Sequence, residues 1–200
     1  MGFAVARAAR AAGHDVTLVA GPVALRTPRG VNRVDVVSAR DMLSAVRAAI
    51  KAMGSGPIAI VMTAAVADWR PASCAKAKLK KSKMDGIIKL VPNPDILKTL
   101  DGTLTSREKS RIVRVGFAAE TGDPSAEAAR KCREKGLDFV VANDVSRADS
   151  GFGVGTNRVA FVFPDGRIRQ LPLMSKNAVA RRIVRHVQEK SKKIIFPLAP

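Results

Sequence analysis

The sequence predicts an α/β fold with a mostly parallel sheet covered by helices on both faces, a Rossmann-like three-layer domain closed by a C-terminal antiparallel hairpin. Three observations predict it. Short runs rich in Val, Ile and Ala alternate along the chain with longer runs that have helical spacing. "PIAIVMTAAVA" (57–67) is apolar over a strand's length, the pattern of a strand covered on both faces. "RVAFVFPDGRIRQLPL" (158–173) places Pro-Asp-Gly between two strand patterns, which is hairpin-turn chemistry.

The elements follow in order. Residues 2–12 are dense in Ala and Arg and stop at Gly13, as a helix with a glycine terminator should. "DVTLVAG" (15–21) is a strand running into a Gly-Pro turn, and "RVDVVS" (33–38) a second short strand. "ARDMLSAVRAAIKAMG" (39–54) is a helix closed by Gly54, and the apolar run 57–67 is the next strand. A proline-marked loop and a lysine cluster, Lys76, Lys78, Lys80 and Lys81, lead to "IIKLV" (87–91), another strand. "NPDILKTL" (93–100) is a helix start, with Asn93 as cap, Pro94 at the first helical position and Asp95 suited to the dipole. "RIVRVGFAAE" (111–120) is a strand, and Asp123 and Pro124 open a helix reaching Gly136. "LDFVVAND" (137–144) is a strand, "SRADSGFGVGTN" (146–157) a glycine-rich loop, and "SKNAVARRIVRHVQEK" (175–190) a closing helix. There is no internal repeat. The expected organisation is one domain over residues 1–190 and a tail over 191–200.

The 200 residues suit one sizeable core, and no apolar run is long enough to cross a bilayer. The Arg- and Ala-rich start mimics an organelle presequence but reads better as a first helix. Cys74 and Cys132 are far apart in dissimilar contexts, which suggests neither a disulfide framework nor a zinc site and fits a reducing cytoplasm. His14 and His186 are too scattered for a metal cluster. The net charge of +18 predicts affinity for polyanions. Its arginines are spread over many segments, from Arg7 to Arg185, and there is one Trp and no Tyr to stack bases. A generally basic surface is therefore favoured over a nucleic-acid site.

In a doubly wound sheet, ligands bind beyond the carboxyl ends of the strands. Asp68, Phe117 and Asn143 fall there by sequence, as do the lysines that follow Asp68. A flexible ammonium partners phosphate as a point charge without fixed orientation. Lys131 and Lys135 are four apart on a predicted helix and share a face. "GFGVG" (151–155) neither follows a strand directly nor opens a helix, so it is a lid-like loop and not a dinucleotide fingerprint.

Each signal is weak alone, but their order is specific. "AAVADWRPA", "AKLKK", "NPDIL", "VGFAAET", the Lys131/Lys135 helix, "LDFVVANDV" and "GFGVGTNRV" occur at fitting separations. Together they resemble phosphopantothenoylcysteine synthetase, the bacterial type usually fused behind a flavin-dependent decarboxylase, over nearly all of residues 1–190. The resemblance implies a cytoplasmic, CTP-dependent ligase of coenzyme A synthesis. It would join 4'-phosphopantothenate to L-cysteine through an acyl-cytidylate and release CMP and pyrophosphate. It further implies that Met62, Thr63, Ala64 and Asp68 line the nucleotide pocket and that Lys78 is the key catalytic cation. Pro94, Asp95, Ile96, Leu97 and Phe117 would hold the nucleotide, and Lys131 and Lys135 its phosphates. Mg2+ is implied as shared counter-ion, with its protein ligands unassigned. A homodimer paired through the stretch around the lysines is implied as well, with a flavin-dependent decarboxylase as a further partner and no membrane; nucleic acid is disfavoured as a partner by the composition.

One departure stands out. The family carries, ahead of the segment matching Met1 and Gly2, a strand, a glycine-rich turn and an asparagine that stabilises the acyl-cytidylate. This chain starts inside the following helix, so it reads as N-terminally truncated or given a misplaced start. Two alternatives stay open beside the ligase: a nucleotide-binding remnant without turnover, and a basic nucleic-acid-associated protein.

Overall fold

Residues alternate strictly along the two longest central strands, and this alternation builds the layers. The computed structural model describes residues 1–75, 77–78, 80, 86–120, 125–146, 149–150 and 153–195. In chain order its elements are α1 (Gly2–Ala11), β1 (Thr17–Ala20), β2 (Asn32–Asp35), α2 (Ala39–Ala52), β3 (Ile58–Val61), β4 (Trp69–Pro71), β5 (Leu90–Pro92), α3 (Ile96–Thr103) and α4 (Ser106–Ser110). There follow β6 (Ile112–Glu120), α5 (Ser125–Glu134), β7 (Phe139–Asp144), β8 (Thr156–Asn157), β9 (Val159–Val162), β10 (Ile168–Gln170), β11 (Met174–Ser175) and α6 (Lys176–Ile195).

The central sheet has five strands in the order β10-β9-β7-β6-β3. β3, β6 and β7 run parallel, and β9 and β10 are antiparallel. Val113 and Val115 on β6 and Phe139 and Val141 on β7 point to one face, where they form a cluster with Val5 of α1 and Val179 and Ile183 of α6. Ala118, Val140 and Ala142 point to the other, against Ala128 and Cys132 of α5 and Leu97 of α3. A period of two on a sheet covered on both sides gives this sorting directly. A third cluster joins Met42, Leu43 and Ile50 of α2 to Ile58, Ile96, Leu100 and Ile112. The three-layer, mostly parallel architecture is thus the one expected.

The hairpin forms as expected too. Ile168 pairs with Val162 across the turn. Gly166 adopts φ +85° there, a left-handed conformation that costs a residue with a Cβ. Cys132 is fully buried, and burial first of all pushes its thiol up to about 11. Donating to the Leu137 carbonyl at 3.3 Å, it is a packing residue rather than a nucleophile.

Several expectations are corrected. The apolar run 57–67 forms a strand only over Ile58–Val61, and Ala59 is exposed. The proline-marked loop contains β4, which pairs antiparallel with β5 as Trp69↔Pro92 to Pro71↔Leu90. "IIKLV" therefore contributes only Leu90 and Val91, and Ile87 is 77% exposed. β1 and β2 form a separate parallel pair, and β11 pairs with β8 outside the central sheet. Asn93 does not cap α3; the cap is Asp95, so Pro94 lies before the helix. A further short helix, α4, follows α3, and its Thr105 and Glu108 form a capping box legible in "TSRE". Helix α6 continues past position 190 to Ile195. The expected opening of α5 at Asp123 and Pro124, parts of the lysine cluster (Lys76, Lys81), Thr121 and the start of "GFGVG" lie outside the described residues.

Candidate functional site

The candidate residues come from four segments, and Asn93 ties two of them together. Its side-chain amide donates to the Ala67 carbonyl at 2.8 Å, and its backbone N–H donates to the Asp68 carbonyl at 2.7 Å. Arg70 donates to the Pro92 carbonyl and, at 3.3 Å, to the Asn93 side-chain oxygen. The segment after β3 and the turn before α3 are thereby one unit, with Asp68 exposed on it. By sequence, Asn93 reads as a helix cap. The sequence signal available was an Asn ahead of Pro-Asp, whose distant partners no local pattern identifies.

A second link joins α3 to α5. The Asp95 carboxylate accepts from the Lys98 backbone N–H at 3.1 Å and lies 2.8 Å from the Lys135 ammonium. Burial disfavours the charged carboxylate, but the Lys135 ammonium and the backbone N–H of Lys98 more than offset it, and Asp95 is held below its ordinary value. Two of the expected nucleotide-binding residues therefore already satisfy each other. Lys131, one turn earlier, lies 3.5 Å from Glu127.

Asp95→Ala removes a cap and an ion pair, and it should cost about 1 kcal/mol of stability at neutral pH; Asp95→Asn, which still caps, should cost less. The folded value being depressed, the contribution of Asp95 is complete above the unfolded value of about 4 and is lost as pH falls through the folded value. Denaturant unfolding of parent and Asp95→Ala should therefore converge as the pH is lowered through the depressed folded value of Asp95.

The remaining candidates are placed unevenly. The Met62 backbone N–H donates to the Val115 carbonyl at 2.9 Å, continuing the β3–β6 register, while its side chain is partly buried between two core clusters. Thr63 is half-buried, and the start of α1 abuts it so closely that a Cβ on Gly2 would fall 2.7 Å from its Oγ1. Ala64 is exposed and Pro94 half-buried. Ile96 and Leu97 are core residues, 4% and 9% exposed, so only their backbone is available to a ligand. The half-buried Phe117 packs its ring against the α1/α6 cluster. Lys78 is exposed on the excursion between β4 and β5 and has no hydrogen bond or ion pair with any described residue.

Asn143, at the carboxyl end of β7, is buried and accepts from the Ser150 hydroxyl at 2.6 Å. Ser150 in turn accepts from the Arg158 backbone N–H at 3.2 Å, so this polar pair holds the glycine-rich connection to the strand end. No group of three or more His, Cys, Asp or Glu among the described residues could hold a metal ion. No helix of the described residues is long and apolar enough to cross a membrane.

Comparison with known proteins agrees with this architecture. The family described as DNA/pantothenate metabolism flavoprotein C-terminal domain matches residues 1–190. The coenzyme A biosynthesis bifunctional protein CoaBC of Vibrio cholerae is 44% identical over 191 residues, covering 94% of this chain and 46% of that protein. CoaBC of Bacillus subtilis is 40% identical over 193 residues, covering 96% of this chain and 45% of that protein. The crystal structure of the C-terminal domain of a CoaBC superposes with a TM-score of 0.76 at 34% identity, covering 96% of this chain and 82% of that one. The chain thus spans less than half the length of these curated relatives.

Proposed function

The chain belongs to the family of DNA/pantothenate metabolism flavoprotein C-terminal domains, and from that premise we propose that it is a CTP-dependent ligase of coenzyme A biosynthesis, joining 4'-phosphopantothenate to L-cysteine. The observation that carries the proposal is the match of nearly the whole chain to one half of CoaBC, a protein named for coenzyme A biosynthesis. A carboxylate oxygen of 4'-phosphopantothenate attacks the α-phosphorus of CTP, the bond to the β-phosphate oxygen breaks, and pyrophosphate leaves. The cysteine amine then attacks the acyl carbon, the acyl–oxygen bond to CMP breaks, and the nitrogen gives up a proton as the amide forms. Activation is needed because a free carboxylate has no usable leaving group.

In this proposal Lys78 supplies charge to the phosphates during transfer, where a positioned cation stabilises what develops in the transition state. Its lack of a carboxylate partner among the described residues supports that role. Lys131 and Lys135 serve the phosphates, Lys135 by exchanging its Asp95 partner for the ligand. Asp68, Met62, Thr63 and Ala64 line the nucleotide, while Pro94 to Leu97 contribute backbone. Mg2+ would travel with the triphosphate, since the described residues offer no preformed cage. We further propose a cytoplasmic homodimer paired through the β4–β5 arm. Exposed Trp69, Ile87, Ile88 and Leu90 support it, as such apolar surface usually meets a partner. A flavin-dependent decarboxylase is the proposed functional companion.

The test is to incubate the protein with CTP, Mg2+ and 4'-phosphopantothenate. Pyrophosphate should appear, and added L-cysteine should release CMP with phosphopantothenoylcysteine. Absence of pyrophosphate above a protein-free control overturns the ligase. CTP-dependent thermal stabilisation without pyrophosphate would instead identify nucleotide binding without turnover.

A further inference from the structure

A cavity of about 120 Å3 lies between α6 and the β9–β10 edge of the sheet, floored by Phe161 and Leu171. Three guanidiniums line it, Arg169 from β10 and Arg182 and Arg185 from α6. Arg182 and Arg185 share a helix face because they are three apart, whereas Arg169 arrives through the sheet, where it pairs with Phe161. None of the three makes a hydrogen bond or ion pair with a described residue, although elsewhere Arg33, Arg114, Arg130 and Arg167 all find carboxylates. Among the described lining residues the one carboxylate, Glu189, lies 3.4 Å from Nδ1 of His186. Three exposed arginines and one carboxylate leave a net positive charge around this cavity; the cations repel one another, and an anion in the cavity relieves this.

We propose that this cavity is a binding site for a phosphate group, carried by a small phosphomonoester or diphosphate. Guanidinium forks match tetrahedral oxyanions through paired N–H···O bonds, which a solvated lysine patch does not do. The site is separate from the candidate nucleotide site. His186 stacks edge-on to Phe139 at 4.9 Å, and Phe139 is the first residue of β7, at the end opposite Asn143. A cavity of about 120 Å3 suits a compact anion better than an extended strand. The inference does not depend on the ligase reading.

The two histidines make the test direct. His186 lines the cavity, while His14 lies beyond α1, 3.0 Å from Gln188. The protein is titrated with inorganic phosphate and, separately, pyrophosphate, at constant ionic strength set by sodium chloride, while the imidazole proton signals are followed. The His186 signal should shift and saturate, with His14 unmoved. The double variant Arg182→Gln/Arg185→Gln should bind about tenfold more weakly or worse. Arg185→Lys, which keeps charge but loses the fork, should fall between, and Arg107→Gln on α4 should match the parent. Unchanged circular dichroism melts without phosphate establish that the variants are folded; should the double variant not fold, Arg185→Lys alone decides. Joint, non-saturating shifts of both histidines, or parental affinity in the variants, overturn the proposal. So does a single-stranded oligonucleotide that outcompetes pyrophosphate with a salt slope of several phosphates, since the surface would then be an extended polyanion track.

Discussion

Lys78→Gln is expected to lower CTP-dependent pyrophosphate release by about a hundredfold or more while leaving the unfolding midpoint where it was. The rate effect follows from deleting one positioned charge where negative charge develops, worth roughly 3 kcal/mol in comparable sites. The unchanged stability follows from its exposure and its lack of any partner among the described residues. That split separates a residue acting on substrate from one acting through the fold. Lys78→Arg should recover part of the rate, because the charge returns on a bulkier planar group with different reach. A Lys78→Gln variant as fast as the parent would remove Lys78 from the mechanism, and a variant that is slow only because it is unfolded would show a lowered midpoint.

Phe139→Ala should be the most destabilising single change of those considered, costing about 3–5 kcal/mol. The ring is fully buried at the start of β7, 5.2 Å from Phe161, 6.1 Å from Phe163 and 4.9 Å from His186 by ring centroids. Such a loss is a large share of the roughly 5–15 kcal/mol typical of domains. Phe139→Leu, which keeps most of the volume, should cost about 1–2 kcal/mol. Urea unfolding with an unchanged slope checks both. Equal, small losses for the two would mean that the site collapses around the cavity. Because β7 also carries Asn143 into its bond with Ser150, activity should fall with stability for Phe139→Ala.

Most of the central architecture was legible because it rests on short-range repetition. Val113, Val115, Phe139 and Val141 alternate with residues of the opposite layer, and any strand buried on both faces must write such a run. Glycine terminators and capping residues announce helix ends through chemistry confined to a few residues, which is why α1, α2 and α5 end near Gly13, Gly54 and Gly136. The family likeness was equally legible, being carried by ordered motifs.

The candidate site was legible as a set of segments and not as a geometry. Ile96 and Leu97 belong to a recognisable motif, yet their side chains face the core, since a motif records identity and not orientation. Lys135 reads as a surface lysine until Asp95, forty residues earlier, is brought beside it.

By itself, the sequence determined the three-layer class, the parallel core strands, the hairpin turn and the family, because periodicity, turn chemistry and motif order are local or linear properties. Tertiary structure alone decided that "DWRP" and "LVP" pair as an arm, that Asn93 ties two loops, that Lys135 is held by Asp95, and that Arg169 meets Arg182 and Arg185 around one cavity. These are pairings between distant positions, and their partners are chosen by chain packing, which no window of sequence contains.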